Sequence, residues 1–304
     1  MKKQSTAQNI DDFLRNIHLG SEVYYVGQLC DAWHMFTPGG DAVAFHLVCH
    51  GEAWVHMPGH ARPVQMRAGD IAFFPHDAAH AFSSRQQVSP GQAFSYGTPV
   101  PFDRDAPGAG LICGHLKLPA HIRRLLLASF PEFMLIHPER SPVGRQMRSL
   151  LEMMSAEANL NELGVTAILD RFSDALFLYV IRHILHLEPG LSPLFAALSD
   201  EHLRPALAAF VENPAEQWSI ERMAGIACQS RSAFSERFNN LVRMPPMEFI
   251  AAWRMQLAVG WLTNGNTSTL DVAMKCGYES EAAFRKAFKR IVGVPPGKIR
   301  SPRP

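Results

Sequence analysis

Disulfides, membrane spans and an iron-binding signature are what this sequence does not offer. Its five cysteines, at 30, 49, 113, 228 and 276, form no CxxC pair and no even set, which excludes a disulfide-stapled secreted scaffold and leaves reduced, mostly buried thiols as the expectation. The longest apolar run, LFLYVI at 176–181, is far shorter than the roughly 20 residues that a bilayer span requires. The opening MKKQSTAQNIDDFLRN has Lys2 and Lys3 but no apolar stretch behind them, so a cytoplasmic protein with no membrane partner is expected. No His-x-His occurs between residues 40 and 118, which disfavours an oxygen-activating iron site built from two histidines and a carboxylate.

What is present is ordinary globular material: 304 residues, 47% hydrophobic and 19% charged, enough for two domains and a connecting piece. The net charge of +1 hides an asymmetry. Residues 195–304 hold 14 Lys and Arg against 10 Asp and Glu, and residues 1–194 hold 15 against 18. From Arg285 to Arg303 there are seven basic residues and no acid, a field suited to a polyanion.

The C-terminal part also repeats itself. CQSRSAFSERF at 228–238 and YESEAAFRKAF at 278–288 share the frame Ser-x-x-Ala-Phe-x-x-x-Phe. A shift of fifty lays Ser219 on Thr269, Glu221 on Asp271, Ala227 on Gly277, Ser230 on Ser280 and Pro245-Pro246 on Pro295-Pro296. Each unit predicts a hydroxyl N-cap with an acid in the first turn, a short helix, a tight turn, and a second capped helix. Phe234, Phe238 and Leu241 fall on one face of that second helix, as do Phe284, Phe288 and Ile291. Helix, turn and helix in two copies, about 219–241 and about 269–292, joined by a helical stretch at 247–263, is the layout of a double helix-turn-helix DNA reader.

These residues, from WSIERMAGIACQSRSAFSERF through PPMEFIAAWRMQLA to DVAMKCGYESEAAFRKAFKRIVGVPPGKIR, resemble the two-motif DNA-binding domain of AraC/XylS-type transcription regulators, here 195–304. The resemblance implies groove-facing positions at Ser232, Ser235 and Glu236 in the first motif, and at Glu281, Ala282, Arg285 and Lys286 in the second. Glu236 stands where the family often has an arginine. Arg231, Lys289 and Arg290 read as phosphate contacts.

Upstream, AVAFHLVCHG, EAWVHMPG, PVQMRAGDIAFFP and AGLICGHLKL predict short strands in an all-β barrel or sandwich. GDIAFFPHDAAHAF, with Gly69, Pro75 and His80, resembles the second cupin motif, so residues 1–142 are expected to form a cupin-like sensor. Residues 85–108 read as a long, disordered loop or lid. RQMRSLLEMMSAEA and TAILDRFSDALFLYVIRHILHL predict a helical segment at 143–194, with dimerisation through LFLYVIRHILHL or plain core packing as its alternatives. The expected fold class is therefore α+β multidomain.

CDAW, FHLV, HDAAH and LICG further resemble a subgroup that includes regulators responding to reactive chlorine. That resemblance implies Cys30, His46, His80 and Cys113 as a metal set, with Cys30 and Cys113 as redox residues that could form a disulfide. Two thiolates and two imidazoles suit zinc or copper(I). His115, His34, His50 and His76 are the substitutes, while Cys49, Cys228 and Cys276 are assigned to packing. The expected function is a non-enzymatic transcription regulator that senses an oxidant, a metal or a small molecule and binds promoter DNA, with a homodimer and RNA polymerase contact implied. The alternatives are a metal-dependent cupin enzyme with an accessory DNA domain, and a metal-free small-molecule receptor.

Overall fold

The computed structural model describes residues 19–88, 94–95, 97–103, 105–160, 162–263 and 267–299, together with Leu14 and Ile17. Lys2, Lys3, Arg300, Arg303 and positions 89–93 of the expected lid lie outside the described residues. The chain divides into two compact units, one of Leu19–Leu118 and Phe130–Leu187, the other of Met1–His18, Pro119–Ser129 and Glu188–Pro304.

The first unit is two antiparallel sheets with a core between them. One orders β1 (Gly20–Leu29), β8 (Ala109–Lys117), β3 (Val43–His50), β6 (Ile71–Phe74) and β9 (Met134–Ile136); the other orders β2 (His34–Thr37), β7 (His80–Ser83), β4 (Glu52–His56) and β5 (Val64–Arg67). Period-two alternation sends Ala44, Val48, Ala72, Phe74, Leu111 and Cys113 into the shared core with Val55, Met66 and Phe82 of the second sheet. The opposite face of the first sheet carries Phe45, Ile71, Phe73 and Leu116. A sheet apolar on both faces must be covered on both, which is why β3 carries apolar side chains on both faces, interrupted by His46. The hairpin from β3 to β4 turns at Gly51, whose φ of +71° and approach to the Gly108 carbonyl leave no room for a Cβ.

The cover is α3 (Val165–Leu187), preceded by α2 (Gly144–Glu157). Leu176, Phe177 and Val180 of α3 pack on the outer face of that sheet. Asp170 accepts the Val23 backbone N–H at 2.8 Å and Asp174 the Ser21 hydroxyl at 2.5 Å, both from β1. This corrects the expected boundaries at 142 and 194: the helices after 142 belong with the barrel because they close its second apolar face. α1 (Ala120–Leu127), in contrast, belongs to the helical unit, burying Ile122, Leu125, Leu126 and Leu127. In the expected lid, Ser95 pairs with His34 of β2, and Val100 with Gln28 of β1. Its described parts are therefore stitched to strands by backbone hydrogen bonds, contrary to the expected disorder.

The helical unit continues with α4 (Pro193–Ser199), α5 (Leu203–Glu212), α6 (Ile220–Ile226), α7 (Arg231–Val242), α8 (Pro246–Thr263), α9 (Thr269–Lys275), α10 (Glu281–Val292) and α11 (Pro296–Ile299). α8 carries two cores along its length. Phe249 and Trp253 pack with Phe210 at one end; Met255, Ala258, Val259 and Leu262 pack with Val272, Phe284 and Phe288 at the other. No described helix is long and apolar enough to cross a membrane.

Candidate functional site

Two helix-turn-helix units stand where the repeat predicts them, with one correction to the register. α7 and α10 are fifty residues apart, but α6 and α9 are forty-nine. The N-cap of α9 is Ser268, whose hydroxyl accepts the Asp271 N–H, rather than Thr269, which is the first helical residue. The left-handed turn residue is Cys228 (φ 51°) in the first motif and Gly277 (φ 73°) in the second. The second motif therefore holds one more residue between its turn and its next N-cap. Cys228 is exposed at that turn, which corrects its assignment to packing; Cys276 is buried, with its thiol pushed up to about 12 by burial.

Ser230 and Ser280 each cap the following helix by accepting an amide N–H at 3.2 Å. Phe234 and Phe238 on α7, and Phe284 and Phe288 on α10, are fully buried, and that fixes which face each helix turns outward. Arg231, Ser232 and Glu236 are exposed and Ser235 is half-buried; Ala282, Arg285, Lys286, Lys289 and Arg290 are exposed and Glu281 half-buried. Two of these cations are held by acids: Arg231 by Glu221, and Arg285 by Glu281, at 2.7 Å from Nε to Oε1. Lys286, Lys289 and Arg290 project with no such partner among the described residues, so the basic field of the second motif rests most directly on them.

Beneath these faces lie residues that the repeat frame did not single out. Asp200, just before α5, accepts the His202 and Leu203 amides and two nitrogens of Arg237 on α7. Arg254 on α8 donates to the backbone carbonyls of Pro214 and Glu216. Neither pairing has a local sequence signal, because each joins residues about 40 positions apart.

Inside the barrel, His46 and His80 meet Nε2 to Nε2 at 2.8 Å. His80 Nδ1 lies 2.7 Å from the Ala78 carbonyl and so carries the proton. Its Nε2 is then the acceptor and His46 Nε2–H the donor, leaving buried His46 Nδ1 unpartnered. Phe74 stacks on His80 at 3.7 Å between ring centroids and Phe82 lies 4.4 Å from the His46 ring. Burial holds both histidines below their ordinary range, and so neutral. Tyr24, at a bulge in β1, places its ring 4.6 Å from His115.

The expected four-ligand set is not assembled. Cys113 is directly paired with His46 in register, on the same face, but Cys30 lies beyond the end of β1. Leu29 pairs with Ala109, which puts Cys30 five residues along the ladder from Cys113, about 16 Å at the strand rise. A disulfide needs Cα atoms within about 7 Å, so the Cys30–Cys113 bridge does not fit this fold. Cys30 is exposed, whereas Cys113 is buried with its thiol pushed far up by burial. Among the described residues no group of three or more His, Cys, Asp or Glu side chains converges to hold a metal ion. Of the substitutes, His76 Nε2–H donates to the Phe130 carbonyl at 2.9 Å, His34 lies tilted against Phe94, and His50 lies against Phe102.

A family model described as a cupin matches residues 9–186, and one described as a helix-turn-helix domain matches residues 223–301. An uncharacterized HTH-type transcriptional regulator of Haemophilus influenzae is 29% identical over 264 residues, covering 84% of this chain and 85% of that one. The RCS-specific HTH-type transcriptional activator RclR of Escherichia coli is 24% identical, covering 88% of each. Among solved structures, the DNA-binding domain of AdpA, in complex with a target DNA, is 30% identical over 33% of this chain and 89% of its own, with a TM-score of 0.31. With two capped helix-turn-helix units behind a cupin barrel, and with relatives matched along most of their length, the chain belongs to the AraC family of DNA-binding transcription regulators that carry an N-terminal cupin domain.

Proposed function

We propose that the chain acts without enzymatic chemistry of its own, as a one-component switch that binds promoter DNA as a homodimer and, where it activates, contacts RNA polymerase. The observation that carries this reading is the shared burial of α7 and α10, with phenylalanines inward and short polar or basic side chains outward. Ser232, Ser235 and Glu236 then face one major groove, and Glu281, Ala282, Arg285 and Lys286 the next. α8 has 18 residues, about 27 Å at 1.5 Å each, which suits two grooves about 34 Å apart on one face of the duplex. Arg231, Lys289 and Arg290 reach phosphates. Half-exposed Leu178, Tyr179 and Leu185 of LFLYVIRHILHL on α3 are the dimer surface in this reading.

The signal enters through the barrel. Its neutral His46–His80 pair supports a metal or small-molecule input. Zinc or copper(I) would be held by those two imidazoles, with Cys113 on the neighbouring strand but not converged as a third ligand; exposed Cys30 supports an oxidant input by itself. The DNA reading is tested on duplexes enriched by the wild-type chain from a randomised library: Arg285→Ala with Lys286→Ala abolishes preferential retention while the protein stays folded, and unchanged retention would remove the α10 assignment. Metal analysis of freshly purified protein, before and after mild oxidation, tests the barrel.

A further inference from the structure

Arg254 sits on α8 at the seam between the two cores, with Trp253 on one side and Met255 on the other. Its guanidinium is turned back onto the loop that enters the first motif: Nε donates to the Pro214 carbonyl at 2.8 Å and Nη2 to the Glu216 carbonyl at 2.7 Å. Its own backbone carbonyl accepts from the Cys276 thiol at 3.3 Å, in the turn of the second motif. Gly277 follows, and a Cβ there would stand 2.3 Å from the Ala215 carbonyl oxygen and 2.9 Å from Arg254 Nη2. The turn of the second motif is thus seated on the loop that precedes the first, with Arg254 between them. Desolvation lowers the Arg254 pKa, so its planar fork is held at a cost that the two carbonyls offset.

We propose that Arg254 and Gly277 are positioning residues that lock the two helix-turn-helix units at one separation and angle, so that the pair accepts only one spacing between its two DNA boxes. Long helices curve gently rather than stay straight, and each motif packs on its own stretch of α8, so the helix by itself leaves some freedom of angle between them. A bridge from the first motif's entry loop to the second motif's turn removes that freedom. Two modules held in matched geometry gain affinity that neither has by itself, and lose it when their span no longer fits the site.

The inference rests on the DNA reading above, and its test separates the two. Duplexes enriched by the full wild-type chain are remade with one base pair inserted between the boxes, and with one box scrambled. If the wild-type chain enriches no duplex, the DNA reading fails. With enriched duplexes in hand, Arg254→Lys, Arg254→Gln and Gly277→Ala are expected to weaken binding to the intact site about tenfold or more, to leave one-box binding nearly unchanged, and to shrink the penalty for the inserted base pair. Arg254→Lys keeps the charge and removes the fork, so it is the variant that stays folded. An equal loss on all three duplexes, or an undiminished insertion penalty in folded Arg254→Lys, overturns the proposal.

Discussion

Asp200 and Arg237 form a forked ion pair, with Nε 3.0 Å from Oδ1 and Nη2 2.9 Å from Oδ2. Through it the residue that caps α5 also holds α7, the first recognition helix. Burial would raise the Asp200 carboxyl, but hydrogen bonds from Arg237 and from the Leu203 and His202 amides outweigh it and leave it lowered.

Asp200→Ala should therefore destabilise the helical unit by about 1–3 kcal/mol, since it strands a guanidinium and uncaps a helix. The carboxyl is lowered in the fold, so its contribution is present above its ordinary value near 3.8 and is lost as pH falls through the lowered one. Urea midpoints of wild type and Asp200→Ala should converge at acid pH; a constant gap would remove the charge argument.

His46 and His80 have the opposite charge type and a shift in the same direction. Their fold favours the neutral form, so the unfolded chain binds more protons below pH 6.5, and stability falls as pH drops through that value. The slope is about 1.4 kcal/mol per pH unit for each histidine that must charge on unfolding. His46→Leu with His80→Leu should lessen the slope of melting temperature against pH between about 7 and 5, while His34, His56 and His183, also lowered by burial, keep part of it; an unaltered slope counts against a neutral pair.

Cysteine labelling reads the barrel directly. A brief pulse of alkylating reagent on the native chain should modify Cys30 and Cys228, both exposed, and spare buried Cys113 and Cys276. After mild oxidation, peptide mass spectrometry should find no Cys30–Cys113 cross-link within one chain. Finding that cross-link would mean the barrel rearranges by about 9 Å or more on oxidation.

Glu281→Gln should release Arg285 from its i,i+4 partner and remove one negative charge from the face of α10. Binding to arbitrary duplexes should rise, with a steeper salt dependence by about one unit in the log-log slope, while preference for the selected site declines. Titrations at several salt concentrations measure both.

Much of this was legible because it is written in local patterns. Paired serine caps, phenylalanines four apart, and a basic stretch without acids identify two copies of one helix pair, and each copy's outward face follows from its inward one. Alternating apolar strands and the Gly69, Pro75, His80 spacing identify the barrel. The one-residue difference between the motifs was hidden because hydroxyls stand at both 268 and 269, and only backbone geometry shows which of them caps.

What the residues determined by themselves is thus the two fold types and the outward faces of the repeated helices, since caps, periodicity and charge act over a few positions; the family and the groove-facing positions came from the resemblance those residues carry. Tertiary structure decided the rest. It brought His46 to His80 across the two sheets, carried Cys30 away from Cys113 along a ladder, gave α3 to the barrel and α1 to the helices, and set Arg254 between two motifs. Each is a pairing of distant positions, governed by register and by which apolar face remains to be covered.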